Sequence, residues 1–160
     1  SFKKPFALRS FQEKLEDLFT AIDYLSQKRI GGLIGIEKEM TLSTYADRGV
    51  KVGALISKDL LVSIFFPHSP LHDGAVVIQG DHIVAAGCLL PLPAAHKLSS
   101  PFQTRTRHLA AIGLSEETDA AVIVIYEETG QVSLAIKGRL ERFEDSDAMQ
   151  KRLIHYLRDE

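Results

Sequence analysis

The sequence predicts a single α/β domain in which a central mixed β-sheet is flanked by helices. Short apolar runs such as GLIGI and AAVIVIY have the length and branched side chains of buried strands. They alternate with longer segments whose apolar residues recur at helical spacing, such as SDAMQKRLIHYLRDE. Because the 160 residues show no internal repeat and no low-complexity tract, residues 1–160 are expected to form one domain with its own core.

The first predicted element is a helix over residues 10–29. Its apolar residues recur at helical spacing, and Ser10 with Glu13 matches a capping box. Gly31 and Gly32 are expected to end the helix, because glycine readily adopts the backbone conformation that terminates helices. The run GLIGI then predicts a short buried strand.

The next segment predicts two helices and a strand pair. The polar stretch 37–53 predicts mixed structure with a short helix near STYADRG. Ser57 is placed to cap a helix over KDLLVSIFF, and Pro67 is expected to stop it. After an HDG turn, AVVIQ and HIVAAGCLL predict two strands joined at the dipeptide GD.

The last part of the chain predicts two helices around a second strand pair. PLPAAHKLSSPFQ is expected to be irregular, and TRHLAAIGLSEE predicts a helix that begins near Thr106. AAVIVIY and VSLAIKG predict strands joined by the turn EETGQ. The final amphipathic helix carries Met149, Leu153, Tyr156 and Leu157 on its apolar face.

Composition excludes several classes of protein. The net charge of −2 gives no global basic field, so nucleic acid is not expected as a partner. Cys88 is the only cysteine, so no intramolecular disulfide can form; it is expected to be a small buried hydrophobe in a reducing compartment. No apolar run in residues 1–160 is long enough to span a bilayer, and no signal peptide is expected. Because the chain starts with Ser1 and not Met, we expect a trimmed chain.

The segment PLHDGAVVIQG places the carboxylate of Asp73 just before an apolar strand. On composition alone, Asp73 is a turn residue, with Gly74 at positive φ. Gly74 and Ala75 are small enough for a ligand to approach the backbone closely. His68 and His72 have the i, i+4 spacing of a zinc helix, but an intervening proline and the lack of other ligands favour a loop.

The segment QTRTRHLAAIG predicts a second candidate site. Thr106 is a reasonable N-cap, and Arg107 and His108 would lie in the first turn, where backbone amides and the helix dipole favour an anion. A bound phosphate would remove the conflict between these basic residues and the dipole; an exposed basic turn is equally compatible. If Asp73 lies beside such a phosphate site, its carboxylate would hold a metal or take a proton, which indicates phosphoryl or nucleotidyl transfer.

Together these motifs resemble a known family. SPLHDGAVVIQ and TRHLAAIGLSEETDA closely resemble the two signature segments of diadenylate cyclases, and RIGGLIGIE and EETGQVSL extend the likeness over roughly residues 11–142. The sequence looks most like the membrane-anchored bacterial class, whose cyclase domain follows transmembrane helices. The resemblance implies that this upstream transmembrane region has been removed from residues 1–160. The resemblance implies that two ATP molecules are condensed into cyclic di-AMP with release of two pyrophosphates. It also implies a homodimer in which two subunits, each with one ATP, meet face to face.

The resemblance also implies roles for individual residues. Asp73 would activate the ribose 3′-hydroxyl, His72 and Asp73 would hold a divalent metal, and Gly74 and Ala75 would let the nucleotide lie against backbone. The remaining nucleotide-binding positions are Thr106 and Arg107 at the phosphates, His108 supporting their turn, Leu90 on the adenine, and Glu128 near the nucleotide. An imidazole ligand favours Mn²⁺ or Co²⁺, with Mg²⁺ also possible.

Some residues depart from the family pattern and leave an alternative open. Leu109 stands where a second arginine is usual, and Arg105, one helical turn earlier, is our candidate for the missing charge. Leu89 and Tyr126 replace an expected tyrosine and serine, so the grip on the base is expected to differ. The alternative functions are a non-catalytic adenine-nucleotide sensor and a purely structural dimerisation domain.

The resemblance further implies a location and partners. The full-length protein would lie at the cytoplasmic face of the cell membrane, and the chain without its anchor would be soluble. Its partners would be a membrane-bound regulator and a cytosolic phosphosugar mutase, phosphoglucosamine mutase.

Overall fold

A seven-stranded sheet runs through the computed structural model, which describes residues 9–96 and 106–160. The strands are β1 Gly32–Ile36, β2 Val50–Leu55, β3 Ala75–Gln79, β4 His82–Cys88, β5 Ala121–Ile125, β6 Val132–Ile136 and β7 Arg139–Phe143. The helices are α1 Leu15–Lys28, α2 Ser43–Ala46, α3 Lys58–Phe65, α4 Thr106–Glu117 and α5 Ser146–Asp159, with a 3₁₀ turn at Ala94–His96.

The strand order is β2-β4-β3-β1-β5-β6-β7. Only β1 and β3 run parallel, with Ile34 opposite Val76, and every other neighbouring pair is antiparallel. The predicted mixed sheet with flanking helices is therefore confirmed.

The sheet is covered on both faces, so its central strands are apolar on both sides. Helices α1, α3 and α5 pack on one face, where the predicted apolar positions of α5 are all buried, and α2 and α4 cover the other. Strands β1 and β5 are buried along their whole length. Cys88 is buried, as predicted. It lies in the second core, between the sheet and helices α2 and α4, and its burial raises the thiol pKa to about 11.

The structure corrects the predicted start and end of the first helix. Residues 9–13 are already helical, a turn falls at Lys14, and α1 begins after it with no side-chain cap, so the predicted capping box at Ser10 does not form. The turn lets Phe11 pack in the same core as Leu18. At the other end, Arg29 with φ 54° ends the helix before the glycines are reached.

Helix α3 follows the prediction closely. The hydroxyl of Ser57 accepts a hydrogen bond from the Leu60 amide at 3.0 Å, and α3 ends at Phe65, two residues before Pro67.

Strands β2 and β7 were not predicted. They form the two edges of the sheet and are mostly exposed. Charged residues break the apolar pattern of β7, and Lys51 and Gly53 interrupt that of β2. Within the described residues, no helix combines the length and apolar composition needed to cross a bilayer.

Candidate active site

One end of the sheet gathers the candidate residues. The parallel strands β1 and β3 both begin there, and the antiparallel β5 ends there, since Gly32 pairs with Ile125. The residues just outside these strands therefore lie near one another: Gly31 before β1, Asp73 before β3, and Glu127 after β5. The sheet topology thus places the HDG turn beside the start of the predicted EETGQ turn.

A cleft of about 320 Å³ opens at this end. It brings His72 and Arg107 together, from the two segments that the sequence had selected separately. The cleft is lined by Arg29, Ile30, Gly31, Phe65, Pro67, His72, Arg107 and Glu127.

The HDG turn holds an imidazole and a carboxylate side by side. His72 Nδ1 lies 2.7 Å from the carbonyl oxygen of Ser69, which can only accept, so Nδ1 carries the proton and the neutral ring keeps its lone pair on Nε2. Nε2 lies 3.5 Å from Asp73 Oδ1. The Asp73 side chain is 88% exposed. Its carboxylate is therefore accessible to a ligand and is not a buried group that caps the following strand or turn.

His72 and Asp73 supply some, but not all, of the ligands that a divalent cation needs. An unprotonated imidazole nitrogen and a carboxylate oxygen are both suitable donors, and the Ser69 hydrogen bond orients the ring as metal-binding histidines usually require. Among the described residues, no group of three or more His, Cys, Asp or Glu side chains could hold a metal ion. The described chain therefore offers two ligands at this position, and a bound ligand's oxygens would have to supply others.

Gly74 and Ala75 are constrained by the fold. Gly74 has φ 93°, and a Cβ there would lie 2.7 Å from the carbonyl carbon of Gly87 and 2.8 Å from the carbonyl oxygen of Cys88. The predicted positive φ is confirmed, and the close neighbour is the backbone of β4. Ala75 is fully buried in the core, so it offers no surface to a ligand in this conformation.

Arg107 is held in the cleft by a partner that the sequence did not predict. Its Nη1 donates to Glu127 Oε2 at 2.8 Å. A Cβ on Gly31 would lie 2.5 Å from Nη1 and 2.7 Å from Oε2, so the ion pair rests directly on the Gly31 backbone. Among the five N–H donors of the guanidinium, those not used by Glu127 remain for an anion.

Glu128, the predicted nucleotide neighbour, is held differently. The Tyr126 hydroxyl donates to Glu128 Oε2 at 2.6 Å. The Tyr126 ring packs edge-on against the buried His108, with ring centroids 5.3 Å apart. This contact joins the first turn of α4 to the end of β5 and so steadies the turn that carries Arg107.

The other predicted positions are less directly placed at the cleft. Thr106 is the first residue of α4 and is exposed. Leu90 is only 6% exposed and packs in the second core, whereas its neighbour Leu89 is 69% exposed. Arg105 lies outside the described residues, and the adenine contact of Leu90 stays a prediction.

Sequence reasoning missed three contributors to the cleft: Gly31, Arg29 and Glu127. By default Glu127, like Glu116 and Glu117, would be a solvated surface charge. Glu116 accepts from the Ala94 amide and Glu117 from the Tyr45 hydroxyl, so none of the three is simply solvated. The only available signal was the position of Glu127 directly after a buried strand.

Comparison with known proteins gives matches over most of the chain. The model of the DAC family, described as DisA bacterial checkpoint controller nucleotide-binding, matches residues 19–140. The cyclic di-AMP synthase CdaA of Bacillus subtilis is 41% identical over 145 residues, which are 89% of this chain and 51% of that protein. The chain therefore spans about half the length of this relative.

Two solved structures are also similar. DacA from Staphylococcus aureus matches with a TM-score of 0.79 at 36% identity, covering 99% of both chains. A structure described as a hypothetical membrane spanning protein from Bacillus cereus matches with a TM-score of 0.75 at 42% identity, covering 83% of this chain and 64% of that one. These matches confirm the resemblance inferred from the motifs.

Proposed function

Since the chain belongs to the DAC family, we propose that it is a diadenylate cyclase, which condenses two ATP into cyclic di-AMP and releases two pyrophosphates. The observation that carries this proposal is the cleft in which the HDG turn and the first turn of α4 meet. Because a carboxylate repels phosphate, the Asp73 carboxylate beside His72 of this cleft is explained by proton transfer or metal binding and not by phosphate binding alone.

In the proposed reaction, Asp73 accepts the proton of the ribose 3′-hydroxyl of one ATP. The 3′-oxygen of that ATP attacks the α-phosphate of the other ATP, and pyrophosphate leaves. Arg107 and Thr106 hold the phosphates, and Glu127 fixes the direction of the Arg107 guanidinium. His108 and Tyr126 hold the turn that presents Arg107. Positioning and charge neutralisation supply most of the acceleration in such a phosphoryl transfer.

A divalent metal is proposed at His72 and Asp73, where it would neutralise phosphate charge. The nitrogen donor favours Mn²⁺ or Co²⁺ over Mg²⁺. Parent protein and the His72→Ala variant should therefore be assayed with each of the three metals. Loss of the Mn²⁺ preference in the variant supports His72 as a ligand, and equal activity of both proteins in Mg²⁺ alone contradicts it.

Turnover requires a homodimer in this proposal, because each new phosphodiester joins nucleotides held by different subunits. Asp73 is exposed in the monomer, as a group that must meet a second nucleotide should be. A membrane-bound regulator and a phosphosugar mutase remain proposed partners that rest on the resemblance alone.

We also propose that the full-length protein lies at the cytoplasmic face of the cell membrane. Support comes from the Bacillus cereus structural match, which is described as membrane spanning. Fractionation of cells that produce the natural full-length protein tests this location, and recovery only in the soluble fraction would contradict it.

The test of the proposed function is incubation with ATP and Mn²⁺, with products identified by mass spectrometry beside an Asp73→Asn control. Cyclic di-AMP from the parent and none from the control supports the cyclase. ATP binding without product, also when two chains are tethered as a dimer, would favour the alternative of a non-catalytic nucleotide sensor.

A further inference from the structure

Arg29 occupies a backbone position that normally belongs to glycine. With φ 54° and ψ 48°, it ends α1 in the left-handed conformation. The amide of Ile30 donates to the Leu25 carbonyl at 2.9 Å, and the amide of Arg29 donates to Ser26 at 3.1 Å. This is the Schellman arrangement, whose left-handed residue is usually glycine because a side chain is strained there.

Arg29 also lines the cleft together with Arg107. The two cations differ in their partners. Arg107 is paired with Glu127, so that pair adds no net charge. Within the part of the chain that the structure describes, no carboxylate forms an ion pair with Arg29. Arg29 therefore adds a positive charge without an ion-pair partner among the described residues to the lining of this cleft.

We propose that Arg29 is a phosphate-binding residue of this cleft, which contacts the triphosphate of the bound nucleotide. This inference rests on the proposed function. A triphosphate carries several negative charges, and the neutral Arg107–Glu127 pair does not balance them. The two Schellman hydrogen bonds fix the Arg29 backbone, so its side chain starts from a fixed point in the lining of the cleft. A glycine would relieve the strain there and would lose this charge.

The chain contains a matched control for this position. Lys137 is the other non-glycine residue with positive φ among the described residues, at 52°, and it is also basic and exposed. It lies between β6 and β7, and its Nζ is 5.9 Å from the centre of the Tyr156 ring. Replacing either residue with glycine removes one positive charge and one strained backbone position, but only Arg29 is at the cleft.

The experiment compares the parent, Arg29→Gly and Lys137→Gly proteins by calorimetric titration with inorganic pyrophosphate, ATP and AMP, beside their thermal unfolding. We expect Arg29→Gly to weaken pyrophosphate and ATP binding about tenfold, as expected for the loss of a hydrogen bond to a charged group, with a smaller effect on AMP. Lys137→Gly should bind like the parent. Both variants should be at least as stable as the parent, because glycine suits the left-handed conformation.

Unchanged pyrophosphate and ATP affinity in Arg29→Gly would overturn the inference, as would an equal loss in Lys137→Gly. If Arg29→Gly does not fold, Arg29→Asn replaces it, since asparagine also tolerates this conformation. The binding readout is independent of turnover. A parent that binds pyrophosphate through Arg29 but makes no cyclic di-AMP would refute the proposed function and leave this inference standing.

Discussion

Replacement of Gly31 by alanine should damage the cleft while leaving the fold intact. The new Cβ would lie 2.5 Å from Arg107 Nη1, 2.7 Å from Glu127 Oε2 and 2.8 Å from Arg107 Cζ, nearly an ångström inside ordinary contact distance. Gly31 is not among the glycines with positive φ, so alanine suits its backbone. The clash therefore falls on the ends of two flexible side chains, which must move.

A displacement of this size at a substrate-binding group lowers catalysis by about 10- to 100-fold. The assay is the initial rate of cyclic di-AMP formation from ATP, measured beside the melting temperature. We expect the rate to fall by that factor and the melting temperature to change by less than about 3 °C.

A double-mutant cycle shows whether the effect passes through Arg107. If it does, Gly31→Ala combined with Arg107→Ala should be no slower than Arg107→Ala alone. A Gly31→Ala rate close to that of the parent, or full additivity in the cycle, would refute the reasoning.

Three further predictions concern the fold. Ser57→Ala removes the acceptor of the Leu60 amide, so the free energy of unfolding in urea should fall by about 1 kcal/mol, and an unchanged midpoint would contradict the cap. Burial raises the pKa of the Cys88 thiol to about 11, so a thiol reagent near pH 8 should label it only after unfolding; labelling of the native protein would show that it is accessible. Burial, with Asp119 and Glu160 nearby, raises the pKa of Tyr156 from 10.0 to about 12, so its phenol ionises more easily in the unfolded chain. Its contribution to stability should be complete below pH 10.0 and lost as the pH rises towards about 12, and a Tyr156→Phe variant should lose less stability over that interval.

The parts of the fold that the sequence predicted are those with a continuous apolar face. Strands β1 and β5 are buried on both sides, and the apolar positions of α5 recur at helical spacing, so each carries a strong local signal. The edge strands β2 and β7 carry no such signal. Each pairs on one side only and is mostly exposed. RLERF looks like a polar segment, and VKVGAL, although mostly apolar, is interrupted by Lys51 and Gly53.

The residues of the candidate site also differ in whether a local sequence pattern could identify them. Asp73 and Arg107 could be selected because a turn motif and a helix start have local sequence patterns. Glu127 and Gly31 could not, since their role arises from the pairing of β1 with β5 and from the approach of α4. Arg29 was predicted inside a helix that glycines would end, because nothing local favours a left-handed arginine.

The most direct test of a reaction shared by two subunits is to mix parent and Asp73→Asn chains at constant total concentration and to follow both cyclic di-AMP and the linear triphosphorylated dinucleotide. In a mixed dimer only the parent subunit activates its 3′-hydroxyl, so one phosphodiester forms and one pyrophosphate leaves. We predict that an equal mixture makes cyclic di-AMP at about one quarter of the parent rate and accumulates the linear product, since only a quarter of randomly paired dimers carry two parent chains. A cyclic product that falls in direct proportion to the parent chain, with no linear dinucleotide, would contradict the account.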